Sequence, residues 1–506
     1  MIRLLAACVL AVITIAADCA RAQQPPVAVD RIVIAGGADV TGLNALDVIV
    51  IIPDRSLMDH IGDTLLRWEA PGKLGPWLAT SWKLVDPVTW ELTLRKGVKF
   101  HNGEPFNASV VKFFYDTMND PKTISPSKTN HTFVKEVKII DEYTVHIVTR
   151  SPYPVAPNQF ALGHMLPPQY IAQVGLDGYR QKPVGTGAYR FAEHVKDDHL
   201  TLQAFDGFWG GPQKIKTIIY RPIKEDSARA AALMTGEIDL ALDIPPELIP
   251  MFSGNPKVKI KQVLSGRTFV AILNALDPAM PTAKREVREA ISIAIDRDSL
   301  NKNILMGTGA PAAWLNPMTY GFNPAMKPLP YEPERAKKLL ADAGYPNGID
   351  IVLDAPDGKY IKDKEMAEAM AGQMLKAGIR ATVKTNDWGL LTKRIFNHQG
   401  APMSLIGWGD ANGDPESHNR LALQSGATWS HTKDPHLDDL FTRMSREMDP
   451  EKRKALLFEQ QDYMRQSFPM VYVVQMGIIN GTSAKLDWFQ PRSDERYYFF
   501  NATGVR

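Results

Sequence analysis

Cysteine is missing from residue 20 onward; the only two, Cys8 and Cys19, lie near the start of the 506-residue chain. Everything beyond them therefore lacks a disulfide, a thiolate nucleophile and a cysteine-bound metal. Long apolar runs are also scarce. After residue 22 no stretch reaches the roughly 18 apolar residues of a membrane-spanning helix. Charge of one sign is not in excess. Lys and Arg number 58 against 56 Asp and Glu, a net +2 with no basic block, so neither nucleic acid nor an anionic membrane is indicated as a partner.

Catalytic signatures are missing as well. There is no Gly-x-Ser-x-Gly elbow, no His-Glu-x-x-His and no phosphate loop. Gly185-Thr186-Gly187 lacks the third glycine and the preceding strand of a dinucleotide fingerprint. Ser125-Pro126-Ser127-Lys128 has the Ser-x-x-Lys spacing, but Pro126 and its polar neighbours argue for a loop, and no Lys-Thr-Gly follows. The 11 histidines are scattered; His431 and His436, five apart in a polar loop, are too little for a metal site. An exported hydrolase is thus a remote alternative, and neither cofactor nor metal is expected.

What is present begins with an export leader. Arg3 is followed by the uncharged apolar run Leu4–Ala17 and by Ala20-Arg21-Ala22, the pattern of a signal peptide over residues 1–22 cleaved after Ala22. A periplasmic location is expected. Too few residues precede Cys8 for a lipid anchor, and Asp18 stands where one at Cys19 would need a small residue. The remaining length exceeds the roughly 250–300 residues at which single cores split, so two or three domains are expected.

Periodicity supplies the elements. Arg31–Ala35, Trp90–Leu94, Tyr189–Phe191, Leu200–Phe205, Thr217–Arg221, Ile238–Leu242 and Val270–Asn274 read as strands, and Val137–Ile140 with Thr144–Val148 as a hairpin. Asn107 caps a helix, Ser227 opens one that Gly236 closes, and Asp449-Pro450 opens a long one reaching Ser467. Lys284–Ile295 reads as a helix, and Pro333 starts another that Gly344 stops. Ile349–Leu353, the Met-striped helix of residues 366–377 and Ile379–Val383 form a parallel strand–helix–strand unit. The Met stripe is core packing. Val471–Gln475 is a final strand. The class is α/β.

One stretch reads as a binding loop. Leu405–His418, LIGWGDANGDPESH, is a buried strand running into a cluster of Gly, Asp, Asn and Pro around one large aromatic. Trp408, Asp410, Asn412 and Asp414 are its candidate ligand contacts. The same residues also suit a turn, because Asp and Asn cap turns and Trp packs.

The chain resembles the family 5 extracellular solute-binding proteins of bacterial ABC importers, the dipeptide- and oligopeptide-binding group. The resemblance rests on Leu94–Phe106 (LRKGVKFHNGEPF), Pro183–Tyr189 (PVGTGAY), Met234–Leu240 (MTGEIDL), Val287–Leu300 (VREAISIAIDRDSL) and the Gly-Trp loop, all in the family's order. It implies a two-lobed periplasmic-binding-protein fold with an additional domain inserted in lobe I. Lobe I would comprise 27–65, 185–269 and 485–506, the extra domain 66–184, and lobe II 270–484, with crossings near Val270–Asn274 and Gly477–Ser483. Thr186, in a lobe I loop, joins the candidate ligand contacts.

The implied protein is a monomer, not an enzyme, that captures solute between its lobes and docks on an ABC permease. In peptide-binding relatives the Gly-Trp loop carries an Asp for the peptide's amino group. That place is Ala411 here, with Asp410 one residue earlier. Their arginine for the carboxylate is not found in Pro356–Lys364, which holds Lys359, Lys362 and Lys364. A short peptide is the first expectation. An opine, a glutathione-like conjugate, a glycoside or a metal chelate is the alternative.

Overall fold

In the computed structural model the structure describes residues 30–47, 54–314, 316–409 and 413–500, without the side chains of residues 416–418. The leader and the candidate contacts Asp410 and Asn412 lie outside the described residues, as does Ala411.

Strand β1 (Arg31–Gly36) comes first. The hairpin β2 (Leu66–Ala70) and β3 (Lys73–Pro76) follows, then β4 (Ala79–Asp86), β5 (Thr89–Leu94), β6 (Val134–Asp141) and β7 (Thr144–Thr149). Next are β8 (Tyr189–Val195), β9 (His199–Ala204), β10 (Thr217–Pro222), the short β11 (Leu240–Ala241) and β12 (Val258–Leu273). β13 (Ala310–Pro311), β14 (Ile349–Pro356), β15 (Ile379–Asn386), β16 (Met403–Gly409) and β17 (Met470–Ser483) complete the series. One sheet runs β15-β14-β16-β12-β17-β11-β1-β10-β9-β8, with β13 beside it on β17; β4-β5-β7-β6 form a separate antiparallel sheet.

The large sheet is two half-sheets on one ribbon. β12 and β17 pair antiparallel from Val258↔Ser483 to Ile272↔Met470. β16 joins β12 only over Arg267–Leu273, and β11 joins β17 only at Gly481 and Thr482. The first lobe therefore grows from one end of the ribbon and the second from the other.

The two ribbon strands are longer than their sequence suggests. Val270–Asn274 and Val471–Gln475 were the readable parts, yet β12 spans 16 residues and β17 spans 14. The first half of β12, VKIKQVL, is mostly half-buried with Lys259 and Gln262 exposed, so backbone pairing more than burial holds it in the sheet. Its second half is buried on both faces. Phe269, Ala271 and Leu273 feed one apolar cluster while Val270 and Ile272 feed another, the period-two division of a strand covered on both sides.

Local signals otherwise give the expected elements. Asn107 accepts a hydrogen bond from Ser109 N at the start of helix Ala108–Asn119. β14, helix Asp363–Met374 and β15 make the parallel unit, paired from Ile349↔Ile379 onward. Met366, Met370 and Met374 are fully buried in its core. The small sheet contributes Trp90, Leu92, Val137 and Ile147 to the same cluster as Ile32 and Ile34 of β1, so it packs into the first lobe.

Glycine is required where the 185–187 turn lies on the chain at 60–62. A Cβ on Gly187 would sit 2.4 Å from the His60 carbonyl oxygen and 2.7 Å from the Ile61 carbonyl carbon. Gly187 N instead donates to Ile61 O at 2.9 Å. Gly187→Ala is therefore expected to cost about 1–3 kcal/mol, the usual range for overpacking against groups that cannot recede, seen as a lower thermal midpoint.

Candidate functional site

Strand directions locate a crevice. β14, β15 and β16 run parallel, with carboxyl ends at Pro356, Asn386 and Gly409. β1, β10 and β11 also run parallel, ending at Gly36, Pro222 and Ala241. Gly409 lies opposite Arg267 of β12. Ala241 lies opposite Gly481 of β17, which itself lies opposite Ile260 of β12. The two sets of strand ends thus point toward each other over β12 residues 260–267, about 23 Å of strand at ~3.3 Å per residue. Ligands of open α/β sheets sit outside such carboxyl ends.

The floor of this crevice is irregular by construction. The β12–β17 register shifts between Leu264 and Thr268, so Ser265, Gly266 and Arg267 leave the regular ladder. The segment at 493–495 takes them up. Gly266 N donates to Ser493 O at 2.6 Å, Ser265 Oγ donates to Glu495 at 2.5 Å, and Arg267 grips Glu495 through Nε at 3.0 Å and Nη2 at 2.8 Å. Burial opposes charge on both partners, but the pairing outweighs it. Glu495 titrates below the usual carboxylate range and Arg267 above its ordinary value.

The second lobe contributes an aromatic wall. After β14, the Asp363 carboxylate accepts from the backbone N–H groups of Gly358 (3.1 Å), Lys359 (2.8 Å) and Tyr360 (2.9 Å), fixing that turn. Tyr360 Oη donates to Gly407 O at 3.2 Å, and a Cβ on Gly407 would meet the Tyr360 ring at 2.7 Å. Tyr360 meets Trp388 edge-on at 5.7 Å, Trp388 lies 6.1 Å from Trp429, and Trp429 lies 5.5 Å from Trp408. Lys359 places its ammonium 5.5 Å from the Trp388 ring centre and pairs with no carboxylate among the described residues. Burial and then Arg267 lower its pKa.

The first lobe contributes Asp243, directly beyond β11. Burial, then Glu495, raises its carboxyl to about 6, with Arg229 and Arg267 opposing. The lobes also touch outside the ribbon, where Lys362 Nζ pairs with Glu247 at 2.6 Å and Ser493 Oγ lies 2.9 Å from Met318 Sδ, while Asn316 Nδ2 donates to Gly266 O of β12 at 3.1 Å.

The residues singled out from sequence fall in different places. Trp408 is buried and packs in the aromatic wall. Asp414 is buried in a bidentate pair with Arg453, 2.6 Å to Oδ2 and 2.7 Å to Oδ1, while Arg453 Nε donates to Met444 O at 3.2 Å. Thr186 is buried and donates to Asp63 Oδ2 at 2.8 Å. Asp63 also accepts from Trp77 Nε1 at 2.6 Å and Trp209 Nε1 at 3.0 Å, and burial raises its pKa against those three donors. Thr186→Val should thus remove one acceptor–donor contact inside the first lobe and cost about 1–3 kcal/mol in denaturant unfolding. Sequence reading did not single out Asp243, Arg267, Glu495, Tyr360 or Trp388. The usable signal for Asp243 was its position at the end of the Ile238–Leu242 strand.

The Ser-x-x-Lys match is structural. Lys128 Nζ donates to the carbonyls of Asp120 (2.6 Å) and Thr123 (3.2 Å), and Ser125 Oγ donates to Leu46 O. In the buried His164–Asp59 contact at 2.8 Å, no group among the described residues hydrogen-bonds His164 Nδ1.

Comparison with known proteins agrees with this architecture. Residues 73–430 match the model of bacterial extracellular solute-binding proteins, family 5 middle region. The glutathione-binding protein GsiB of Pectobacterium atrosepticum is 26% identical over 503 residues, covering 96% of each chain. DppA of Helicobacter pylori, solved with the peptide STSA, superposes with a TM-score of 0.77 at 24% identity, covering 90% of this chain and 94% of that one. NikZ of Campylobacter jejuni, solved with Ni(L-His), superposes with a TM-score of 0.78 at 22% identity, covering 91% and 95%. The chain belongs to the family 5 bacterial extracellular solute-binding proteins.

Proposed function

We propose that this protein is the exported capture component of an ABC importer and that its solute is a short peptide or a peptide-like conjugate of the glutathione type. The observation that carries this reading is the crevice between opposed strand ends, with an aromatic wall, an ammonium at Lys359 and a carboxylate at Asp243. Such a lining suits a small polar molecule with charges of both signs and some apolar surface. The full-length likeness to a glutathione-binding protein and the fold shared with a peptide-bound DppA support the same class.

Lobe I is read as 27–65, 185–269 and 485–506, its extra domain as 66–184 and lobe II as 270–484. Ligand contacts that exist only when both lobes meet shift the hinge toward closure. Turning a 1:99 closed population into 99:1 takes about 5.5 kcal/mol of differential binding. The closed form, a monomer in the periplasm after removal of residues 1–22, then docks on its permease. Trp408, Asp410, Asn412, Asp414 and Thr186 remain candidates of the ligand-binding or loop-shaping set. The protein acts by binding and closure, not by chemistry.

Thermal-shift and calorimetric screening of the purified protein against dipeptides, tripeptides, glutathione and nickel–histidine tests the reading. A ligand at 100 times its Kd adds about 2.7 kcal/mol of stability, which raises the midpoint by several degrees. Stabilisation by a peptide or glutathione is expected. Stabilisation by the nickel chelate alone overturns the peptide class in favour of the NikZ-like alternative, and no stabilisation by any of them overturns both.

A further inference from the structure

We infer that Asp243 of the first lobe is the group that receives a cationic centre of the solute, so that the transported class carries a primary amine or guanidinium. The inference rests on the solute-binding reading above and adds the residue and the charge to it.

The backbone at Asp243 is held in an unusual state. Its φ is +52°, the left-handed region that a non-glycine residue enters at a cost. Four contacts hold it there. Arg229 Nε donates to Leu242 O at 2.9 Å and Nη2 to Asp243 O at 2.9 Å, Asp243 N donates to Asn480 Oδ1 at 3.2 Å, and Ile244 N donates to Ile479 O at 2.8 Å. Arg229 is buried, and it also reaches Ile223 O at 2.8 Å and Asp226 at 2.6 Å. The backbone is thus fixed by the first lobe and by β17 of the ribbon together, which sets Asp243 two residues beyond the end of β11, at the crevice.

The carboxylate itself is unmet. Among the described residues no group donates a hydrogen bond to it or forms an ion pair with it. The residue is exposed to solvent, yet surrounding protein destabilises its charge, which is the condition of a crevice wall and not of a convex surface. The two arginines nearby are engaged elsewhere. Arg267 is locked to Glu495, and Arg229 is committed to backbone carbonyls and Asp226. Among the described residues the Asp243 carboxylate at the end of β11 is therefore left open to a solute cation.

Among the described residues the other acids close to the crevice are already paired: Glu495 with Arg267, Glu247 with Lys362, and Asp414 with Arg453. Both oxygens of Asp414 are met by Arg453. Of the two acids singled out in the Gly-Trp loop, Asp414 is thus committed to Arg453, Asp410 lies outside the described residues, and Asp243 offers a carboxylate from the facing lobe.

The test uses the full mature protein, Asp243→Asn, and two matched probes: a tripeptide library with free amino termini and the same library N-acetylated. Asn accepts the left-handed backbone and keeps the side-chain shape, and the ligand-free melting midpoint of the variant checks its folding. Wild type is expected to bind free-amine members about 10- to 150-fold more tightly than the variant, the range for a lost hydrogen bond to a charged group. Acetylation should weaken wild type similarly and weaken the variant little further. Because acetylated and free probes are compared within each protein, a general loss of stability cancels. If the variant retains wild-type affinity, or wild type prefers acetylated probes, the assignment to Asp243 is overturned while the peptide reading stands. If no member of either library binds wild type, both fall.

Discussion

Arg453→Met is expected to destabilise the protein by about 3–5 kcal/mol, because it removes the buried guanidinium that meets both oxygens of the Asp414 carboxylate. The pair ties the start of helix Pro415–Leu423 to helix Pro450–Ser467. Both side chains are about 95% withdrawn from water, at 5% and 6% exposure, so little solvent can step in. Asp414→Asn should cost a comparable amount, because Arg453 then loses the buried carboxylate it grips with both Nη atoms. The double variant Asp414→Asn/Arg453→Met should be more stable than the sum of the two single losses. Urea unfolding of the four proteins measures the coupling. A coupling near zero, with altered solute affinity in Asp414→Asn, would assign Asp414 to the ligand and not to the scaffold.

The second large effect is on pH dependence. The Asp243 carboxyl is raised to about 6 from its ordinary 3.8. In the empty protein it therefore holds a proton up to about pH 6. A cationic solute needs the ionised form, which is fully available above that pH. Below it, binding must first expel the proton, and affinity should fall about tenfold per pH unit until the lower pKa of the bound state is reached. The sign for folding is the opposite. A raised carboxyl disfavours the empty folded state above pH 6, and that penalty fades as the pH falls toward the unfolded value. Calorimetric titrations of wild type and Asp243→Asn between pH 4.5 and about 8 separate this group from others that titrate. The variant's affinity should be flat where wild type's slopes. Parallel slopes in both would place the titrating group elsewhere.

Much of the fold was legible because most elements carry their own local signals. Asn107 caps, Pro333 starts and Gly344 stops helices as side-chain chemistry requires, and the alternation in β15 and the Met stripe of its partner helix report one buried face each. The ribbon was only half legible. Lys259 and Gln262 face water on a strand stabilised by its neighbour's backbone, and pairing of Val258 with Ser483 is a long-range fact that no window contains. The site follows the same division. Trp408 at the end of an apolar strand stood out in the sequence as a candidate contact. Asp243 did not, because a single acid before Ile-Pro-Pro has no periodic or motif signature. Its meaning comes from β11 pairing with β1 on one side and β17 on the other. Asp414 was conspicuous for its loop, but its partner, Arg453, lies on another helix and was invisible to local reading.

The ribbon also sets a timetable. Polypeptides are delivered amino end first, and here β11 and the polar half of β12 are laid down long before β17, the strand that must lie between them. Until β17 emerges each presents an open strand edge, the kind of surface that invites pairing with a stranger. Ser493 and Glu495, which secure the bulge at Ser265–Arg267, come later still. Both lobes are joined to β17, so the last strand pairing of each waits on the final stretch of chain, a non-local and therefore slow closing step.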